Sequence, residues 1–196
     1  MIVITNPIPI ANEISTIHSL FENGLELLHI RKPNFTEGEM KVFLSKVELE
    51  FRSNLVLHQH HNLAKYFGIQ RIHYTENNRI QVGTTSDQFT AFTRSTSTHS
   101  IADFNSLHPR FDYAFLSPIY PSISKPDYAS NVNHLETIKQ RTNFTTKLIA
   151  LGGISSNNIK ETYKLGFDSV ALLGTIWNSK NPIENFKLCQ QIAHSF

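Results

Sequence analysis

Short apolar segments alternate along the chain with longer segments that carry apolar residues at helical spacing. The short segments are rich in β-branched and aromatic residues, as buried strands are. Eight of them occur, at 2–5, 25–30, 54–58, 70–74, 91–97, 112–117, 147–152 and 168–174. Segments such as 11–24, 36–51 and 155–166 predict the intervening helices, whereas the polar segment 75–90 predicts at most a degenerate helix.

Eight buried strands that alternate with helices favour parallel pairing, because each parallel connection needs a crossover. The predicted α/β fold is therefore a closed (β/α)8 TIM barrel that forms a single domain over residues 1–196. A doubly wound open sheet is the alternative. No G-x-G-x-x-G motif follows the first strand, which disfavours it.

Composition excludes several classes of function. The 196 residues carry a formal net charge of +2 without a basic run, so nucleic acid is not an expected partner. No apolar segment reaches the roughly 18 residues of a membrane span, and MIVIT does not begin like a signal peptide. Cys189 is the single cysteine, so no intramolecular disulfide forms and we expect a reducing, cytoplasmic setting.

Two glycine segments follow the last two predicted strands, ALGGISSNN at 150–158 and ALLGTIW at 171–177. TIM barrels carry their reactive groups at these strand ends. Glycine lets backbone N–H groups approach an anion, and helix N-termini add a positive dipole end. The segments predict a phosphate site, with a tight strand-to-helix turn as the structural alternative. The candidate residues of this phosphate site are Gly152, Gly153, Gly174 and Thr175.

The segment after the sixth strand, SPIYPSISK at 117–125, combines hydroxyls and one ammonium with two prolines. Such groups suit the oxygens of phosphate or pyrophosphate, and proline stiffens the turn. A surface loop with a solvated lysine is the alternative. The candidate binding residues are Ser117, Ser122 and Ser124, and Lys125 is a candidate for catalysis as well.

Basic and titratable residues follow the earlier strands. Arg31 in HIRKP can clamp a charged group or form a rim salt bridge. Histidine titrates near neutral pH, so a general acid or base is expected among the strand-end histidines, although each can instead cap loop carbonyls. Zinc binding by His58 and His60, joined by His29, is a further alternative without a reliable ligand spacing. The histidine candidates for catalysis are His29, His58 and His99.

Six strand-end segments resemble, in chain order, the motifs of the thiamine phosphate synthase and TenI-like thiazole tautomerase family. They are HIRKP (29–33), LHQ (57–59), RIHY (71–74), STSTH (95–99), DYAFLSPIYPSISK (112–125) and ALGGI (150–154). The resemblance covers nearly the whole chain, and its last two segments are the most specific. It implies a TIM barrel that couples hydroxymethylpyrimidine diphosphate with hydroxyethylthiazole phosphate and releases pyrophosphate. The implied partners are thus small phosphorylated substrates, and no organic cofactor is implied.

Position by position, the resemblance assigns Arg31 and Ser97 to the pyrophosphate. It assigns the stretch that contains Ser122, Ser124 and Lys125 to the thiazole substrate and the pyrophosphate. The glycine segments after the last two strands are assigned to the thiazole phosphate.

The chain departs from the family at the magnesium ligands. His58-Gln59 stands where the synthases have Asn-Asp, and Asn78 falls where their second aspartate is expected. Because Mg²⁺ prefers oxygen ligands, Gln59 and Glu76 are the weak remaining candidates for a metal site. The implied magnesium cofactor is therefore poorly supported by the residues.

Other departures concern the catalytic side chains. His29 stands where the family has glutamine, Pro33 where it has lysine, and Pro118 where the tautomerases have their catalytic histidine. Three interpretations stay open: the coupling synthase, a metal-free tautomerase that uses other histidines, and a non-catalytic protein that binds thiamine phosphates. The sequence leaves the oligomeric state open, with a homodimer as one arrangement.

Overall fold

Eight parallel strands close into a barrel in chain order, because β1 pairs with both β2 and β8. The computed structural model describes residues 1–82, 89, 91–121 and 134–196. The strands are β1 (Ile2–Ile4), β2 (Leu27–Ile30), β3 (Leu55–Leu57), β4 (Arg71–Tyr74), β5 (Thr93–Thr98), β6 (Tyr113–Leu116), β7 (Lys147–Leu151) and β8 (Ser169–Leu172). The predicted TIM barrel is confirmed, and the open-sheet alternative is wrong because the first and last strands are hydrogen-bonded.

Helices connect the strands and surround the barrel. They are α1 (Glu13–Glu22), α2 (Glu37–Ser45), α3 (Leu63–Tyr66), α4 (Glu76–Val82), α5 (Ile101–Asn105), α6 (His134–Thr137), α7 (Ile159–Lys164), α8 (Gly174–Trp177) and α9 (Pro182–Ala193). The segment predicted as at most a degenerate helix begins with the two turns of α4. Among the described helices, none is long and apolar enough to cross a membrane.

Alternate residues of each strand face opposite sides of the barrel wall. Outward side chains such as Val3, Leu28 and Leu148 pack with the helices in the larger apolar cluster. A second apolar cluster occupies the barrel interior and consists of Ile2, Ile4, Tyr113, Phe115, Ile149 and Ala171. Several inward positions of β2, β4 and β5 carry polar side chains instead, among them His29, His73 and Ser95, and these begin the candidate site.

Arg31 and Lys32, the two basic residues directly after β2, also point to opposite sides of the barrel wall. Arg31 lines the interior cavity, whereas Lys32 points outward and is completely buried. Lys32 Nζ lies 2.6 Å from Glu13 Oε2 of α1 and donates to the Ile8 carbonyl oxygen over 3.2 Å. Burial lowers the pKa of Lys32 and raises that of Glu13, while their pairing opposes both shifts. Lys32 is therefore a structural residue between the barrel and the first helix.

Candidate active site

A cavity of about 440 Å³ opens at the C-terminal ends of the strands, where TIM barrels carry their reactive groups. The predicted residues that line it are Arg31, His58, Glu76, Ser97, His99, Ser117, Gly152, Gly153, Gly174 and Thr175. His29 and Gln59 are not part of this lining. The predictions for Ser122, Ser124 and Lys125 fall outside the described residues.

Three histidines converge at the inner end of the cavity, and we call His29, His58 and His73 the histidine cluster. One ring nitrogen of each lies within 4.8 Å of the others. His29 Nδ1 and His58 Nε2 are 2.9 Å apart, and the His58 and His73 rings stack with centroids 4.0 Å apart. All three are buried, yet His58 and His73 reach the cavity wall. The cluster therefore joins the barrel core to the cavity.

Hydroxyl groups of β5 and β6 surround the histidine cluster. His29 Nε2 lies 2.7 Å from Tyr113 Oη. The two ring nitrogens of His73 lie 2.9 Å from Ser95 Oγ and 3.0 Å from Ser97 Oγ. A hydroxyl can donate or accept, so these neighbours satisfy neutral rings in either tautomer. The network extends from the buried β2 histidine to Ser97 at the cavity wall.

Burial lowers the pKa of every histidine in the cluster. Burial is the largest cause for each ring, and neighbouring basic side chains act in the same direction: His73 on His29, His73 ahead of Arg31 on His58, and His61 ahead of Arg31 on His73. The pKa of His73 falls to about 3, and the pKa values of the other two lie well below the ordinary range. The three rings are therefore neutral near pH 7, with nitrogen lone pairs that can accept a hydrogen bond or bind an ion.

His99 is the exposed histidine of the cavity and is oriented by two neighbours. Its Nδ1 donates to the Ser117 carbonyl oxygen over 2.8 Å, and its Nε2 lies 3.9 Å from Glu76 Oε2. With Nδ1–H donated to this carbonyl oxygen, Nε2 is the ring nitrogen left for contact with a bound molecule. His99 thus suits acid–base work at the cavity mouth.

Gly152 and Gly153 follow β7 with φ angles of +97° and +66°. A Cβ atom at Gly152 would lie 2.8 Å from Pro118 Cα, and one at Gly153 would lie 2.4 Å from the Pro121 carbonyl oxygen. Side chains rarely adopt these angles and here have no room, so backbone packing alone requires both glycines. This supports the tight-turn alternative for the glycines themselves.

The loops after β7 and β8 are joined and both line the cavity. Thr175 Oγ1 donates to the Ile154 carbonyl oxygen, and α8 begins at Gly174, separated from the end of β8 by one residue. The helix after β7 begins only at Ile159, so its N-terminus does not follow the glycines directly. The predicted phosphate site therefore depends on loop N–H groups and the start of α8.

Residues 1–176 match the thiamine monophosphate synthase family. The chain belongs to this family, which places it in thiamine biosynthesis. It is 23% identical over 181 residues to the thiamine-phosphate synthase of Photorhabdus laumondii, covering 88% of this chain and 82% of the relative. The crystal structure of thiamine phosphate pyrophosphorylase from Bacteroides thetaiotaomicron is 29% identical with a TM-score of 0.79, covering 99% and 97% of the two chains. The Pyrococcus furiosus pyrophosphorylase, at 16% identity, shares the fold with a TM-score of 0.80 over 99% of this chain and 95% of its own.

The residues of this family member do not fit a magnesium site built on Gln59 and Glu76. The Gln59 side-chain amide donates to the Lys32 carbonyl oxygen, away from the cavity lining. Glu76 does line the cavity, but its carboxylate oxygens lie 3.8 Å from Arg79 and 3.9 Å from His99. Mg²⁺ selects oxygen ligands, and the described cavity wall offers this one carboxylate.

The structure places His73, one of the strand-end histidines of the sequence, in the site and adds Ser95 and Tyr113 to the polar groups around it. The signal in the sequence was the two-residue spacing of polar side chains within apolar strands, which marks one face of a sheet. His60, in contrast, does not join the cluster as the zinc alternative required. Its φ is +54°, and its Nε2 donates to the Phe35 carbonyl oxygen over 2.8 Å.

Proposed function

We propose that the chain is a transferase that couples hydroxymethylpyrimidine diphosphate with hydroxyethylthiazole phosphate. The products are thiamine phosphate and pyrophosphate. One observation carries the proposal: Arg31, Ser97 and the two glycine loops line one cavity in a barrel of the thiamine monophosphate synthase family.

The reaction breaks the bond between the pyrimidine methylene carbon and a pyrophosphate oxygen. The thiazole nitrogen supplies the electron pair of the new carbon–nitrogen bond. Negative charge grows on the leaving pyrophosphate, so donors placed at its oxygens lower the barrier. Among the described residues, Arg31 and Ser97 have this role, and His73 holds the Ser97 hydroxyl at 3.0 Å. Ser122, Ser124 and Lys125 would add to this group.

The second substrate requires a phosphate site on the other side of the cavity. The loops that contain Gly153 and Gly174 are the candidates, and the cavity volume of about 440 Å³ lies in the range of small-molecule sites. The apolar side chains Leu151, Ala171 and Leu173 lie beside these loops and suit a flat heterocycle.

The test is incubation of the purified chain with both substrates and assay of thiamine phosphate, with Mg²⁺ and in parallel with EDTA. Product that requires Mg²⁺ supports the proposal and means that groups other than the family's aspartates serve the ion. Product in EDTA supports coupling without a bound ion. Absence of thiamine phosphate in both arms overturns the proposal.

Isomerisation of a thiazole phosphate is a second candidate, favoured by His99 and the neutral histidine cluster beside the cavity. It predicts turnover of the thiazole phosphate alone, resistant to EDTA and lost in His58→Ala or His99→Ala. Turnover that survives both substitutions contradicts it. Thermal stabilisation by thiazole phosphate without either product identifies a binding protein instead.

A further inference from the structure

The histidine cluster is a property of this chain rather than of its family pattern. His29 and His58 stand where the resemblance expects glutamine and asparagine. Their exposed fractions are 0% and 7%, and His73 beside them is 1% exposed. Three adjacent imidazoles are a costly filling for a barrel interior, since each carries polar atoms that must be satisfied. We therefore expect the cluster to have a function that glutamine and asparagine at positions 29 and 58 could not provide.

The geometry points to a transition-metal site of the zinc class in which His29, His58 and His73 are three ligands and the cavity holds the fourth. A tetrahedral ion about 2.0–2.1 Å from each nitrogen keeps its ligand nitrogens roughly 3.4 Å apart. Here these nitrogens already lie within 4.8 Å of one another. The ion would replace the 2.9 Å hydrogen bond between His29 Nδ1 and His58 Nε2.

Hydroxyl groups supply hydrogen-bond partners for the second ring nitrogens of His29 and His73. A ligating histidine usually donates its other N–H to a fixed acceptor, which sets the ring orientation. Tyr113 Oη lies 2.7 Å from the remaining nitrogen of His29. Whichever nitrogen of His73 binds, the other keeps Ser95 or Ser97 as its partner. Neutral rings also need no deprotonation before they bind an ion.

The donor set selects the kind of ion. Imidazole suits Zn²⁺, Co²⁺, Ni²⁺ and Cu²⁺, whereas Mg²⁺ selects oxygen. Three neutral ligands leave the full charge of the ion in place, and Arg31 lines the same cavity. An anion in the cavity would offset this charge. An open fourth position is the arrangement of catalytic rather than structural zinc sites.

The experiment measures metal binding without substrate, so its failure leaves the proposed coupling reaction untouched. Tag-free chain is stripped with chelator, dialysed, and titrated with Co²⁺ while the visible absorption is recorded. We expect one equivalent to bind with a tetrahedral spectrum that Zn²⁺ abolishes and a large excess of Mg²⁺ does not. Binding of no ion, or displacement by Mg²⁺, overturns the proposal.

Variants test whether the ion binds at the histidine cluster or at another histidine. His58→Asn and His73→Asn should weaken binding more than a hundredfold, and Tyr113→Phe about 10- to 100-fold, because it removes the hydroxyl that holds the ligand His29. His99→Asn, in the same cavity but outside the cluster, should bind as the parent does. Equal binding by all variants places the ion elsewhere and overturns the proposal.

X-ray absorption of the zinc-loaded parent protein covers the case in which a cluster variant fails to fold. Imidazole scattering from three histidines, at about 2.0 Å and without sulfur, supports the site. A first shell with fewer than three imidazoles contradicts it.

Discussion

In the half of the barrel interior formed by β1, β7 and β8, the inward side chains are apolar. They are Ile2, Ile4, Ile149, Leu151 and Ala171. The half formed by β2 to β5 carries the polar inward side chains His29, His58, His73, Ser95 and Ser97 as well as the apolar Leu27 and Val56. Tyr113 and Phe115 of β6 lie at the boundary, where both contact the His29 ring.

The two halves stabilise the fold to different extents. Burial of a large aliphatic side chain contributes about 1.5–3 kcal/mol, whereas a neutral hydrogen bond contributes about 0.5–1.5 kcal/mol net. Apolar residues in the polar half would therefore give an equal or more stable barrel. The cost of the histidines indicates that they serve the cavity above them, and this difference can be tested.

The largest expected effect is a loss of folding stability in acid, caused by the histidines of the polar half. The unfolded chain gains protons below about pH 6.5, but the folded histidines resist protonation because burial lowers their pKa, to about 3 for His73. Stability is therefore full above the unfolded pKa and falls as the pH drops toward the folded one. Each such histidine contributes up to about 1.4 kcal/mol per pH unit. Urea unfolding in EDTA, from about pH 8 to about pH 5, measures this slope.

Two variants decide whether the slope comes from the cluster. His58→Asn and His73→Asn should each flatten the pH dependence, because burial lowers the pKa of both rings in the folded chain. An equal slope in the parent and in His73→Asn would contradict the assignment.

The buried ion pair of Lys32 and Glu13 lies outside both halves of the interior and shows how much a buried charge contributes to stability. Glu13→Gln leaves Lys32 buried without its anion, and we expect a loss of about 3–5 kcal/mol in the free energy of unfolding. The matched control is Glu37→Gln, which removes a 2.9 Å surface pair with Lys41 and should cost much less, because solvent screens this exposed pair. Denaturant unfolding of both variants gives the comparison. Equal losses would mean that the buried pair contributes no more than a surface one.

The predictable part of this molecule follows from periodicity. Alternating apolar segments gave the eight strands, and parallel strands in a closed barrel bring their C-terminal ends together. The candidate residues at those ends therefore line one cavity. Which of two neighbouring residues points inward depends on barrel closure and register. For that reason the sequence could not separate Arg31 in the cavity from Lys32 outside it.

The histidine cluster was harder to predict for the same reason. His73 lies opposite Ser95 in the β4–β5 register, and neither residue reveals its direction in a sequence read one strand at a time. His58 and His60 have the spacing of one strand face, but β3 ends before them and His60 turns away to a carbonyl oxygen.

The apolar half can be perturbed through the loop above it. Gly153→Ala combines a left-handed φ of +66° with a Cβ atom 2.4 Å from the Pro121 carbonyl oxygen. The angle costs about 1–2 kcal/mol and the crowding about 1–3 kcal/mol more. Gly68→Ala is the matched control, because its φ is +72° and nothing lies within 4 Å of the added atom. Thermal unfolding that ranks the two variants equally would contradict the close approach.

The smallest effect is expected for Arg31→Ala. This variant tests whether the leaving pyrophosphate binds on the side of the cavity next to the polar half of the barrel interior. Arg31 is exposed on the cavity wall beside the histidine cluster, so its loss should leave unfolding unchanged. Affinity for inorganic pyrophosphate, measured by calorimetry, should fall roughly 10- to 150-fold, since a hydrogen bond to a charged group contributes about 1.5–3 kcal/mol. Arg71→Ala, at the opposite end of β4, is the matched control and should keep the affinity. Unchanged binding by Arg31→Ala would place the pyrophosphate away from the polar half, at the glycine loops.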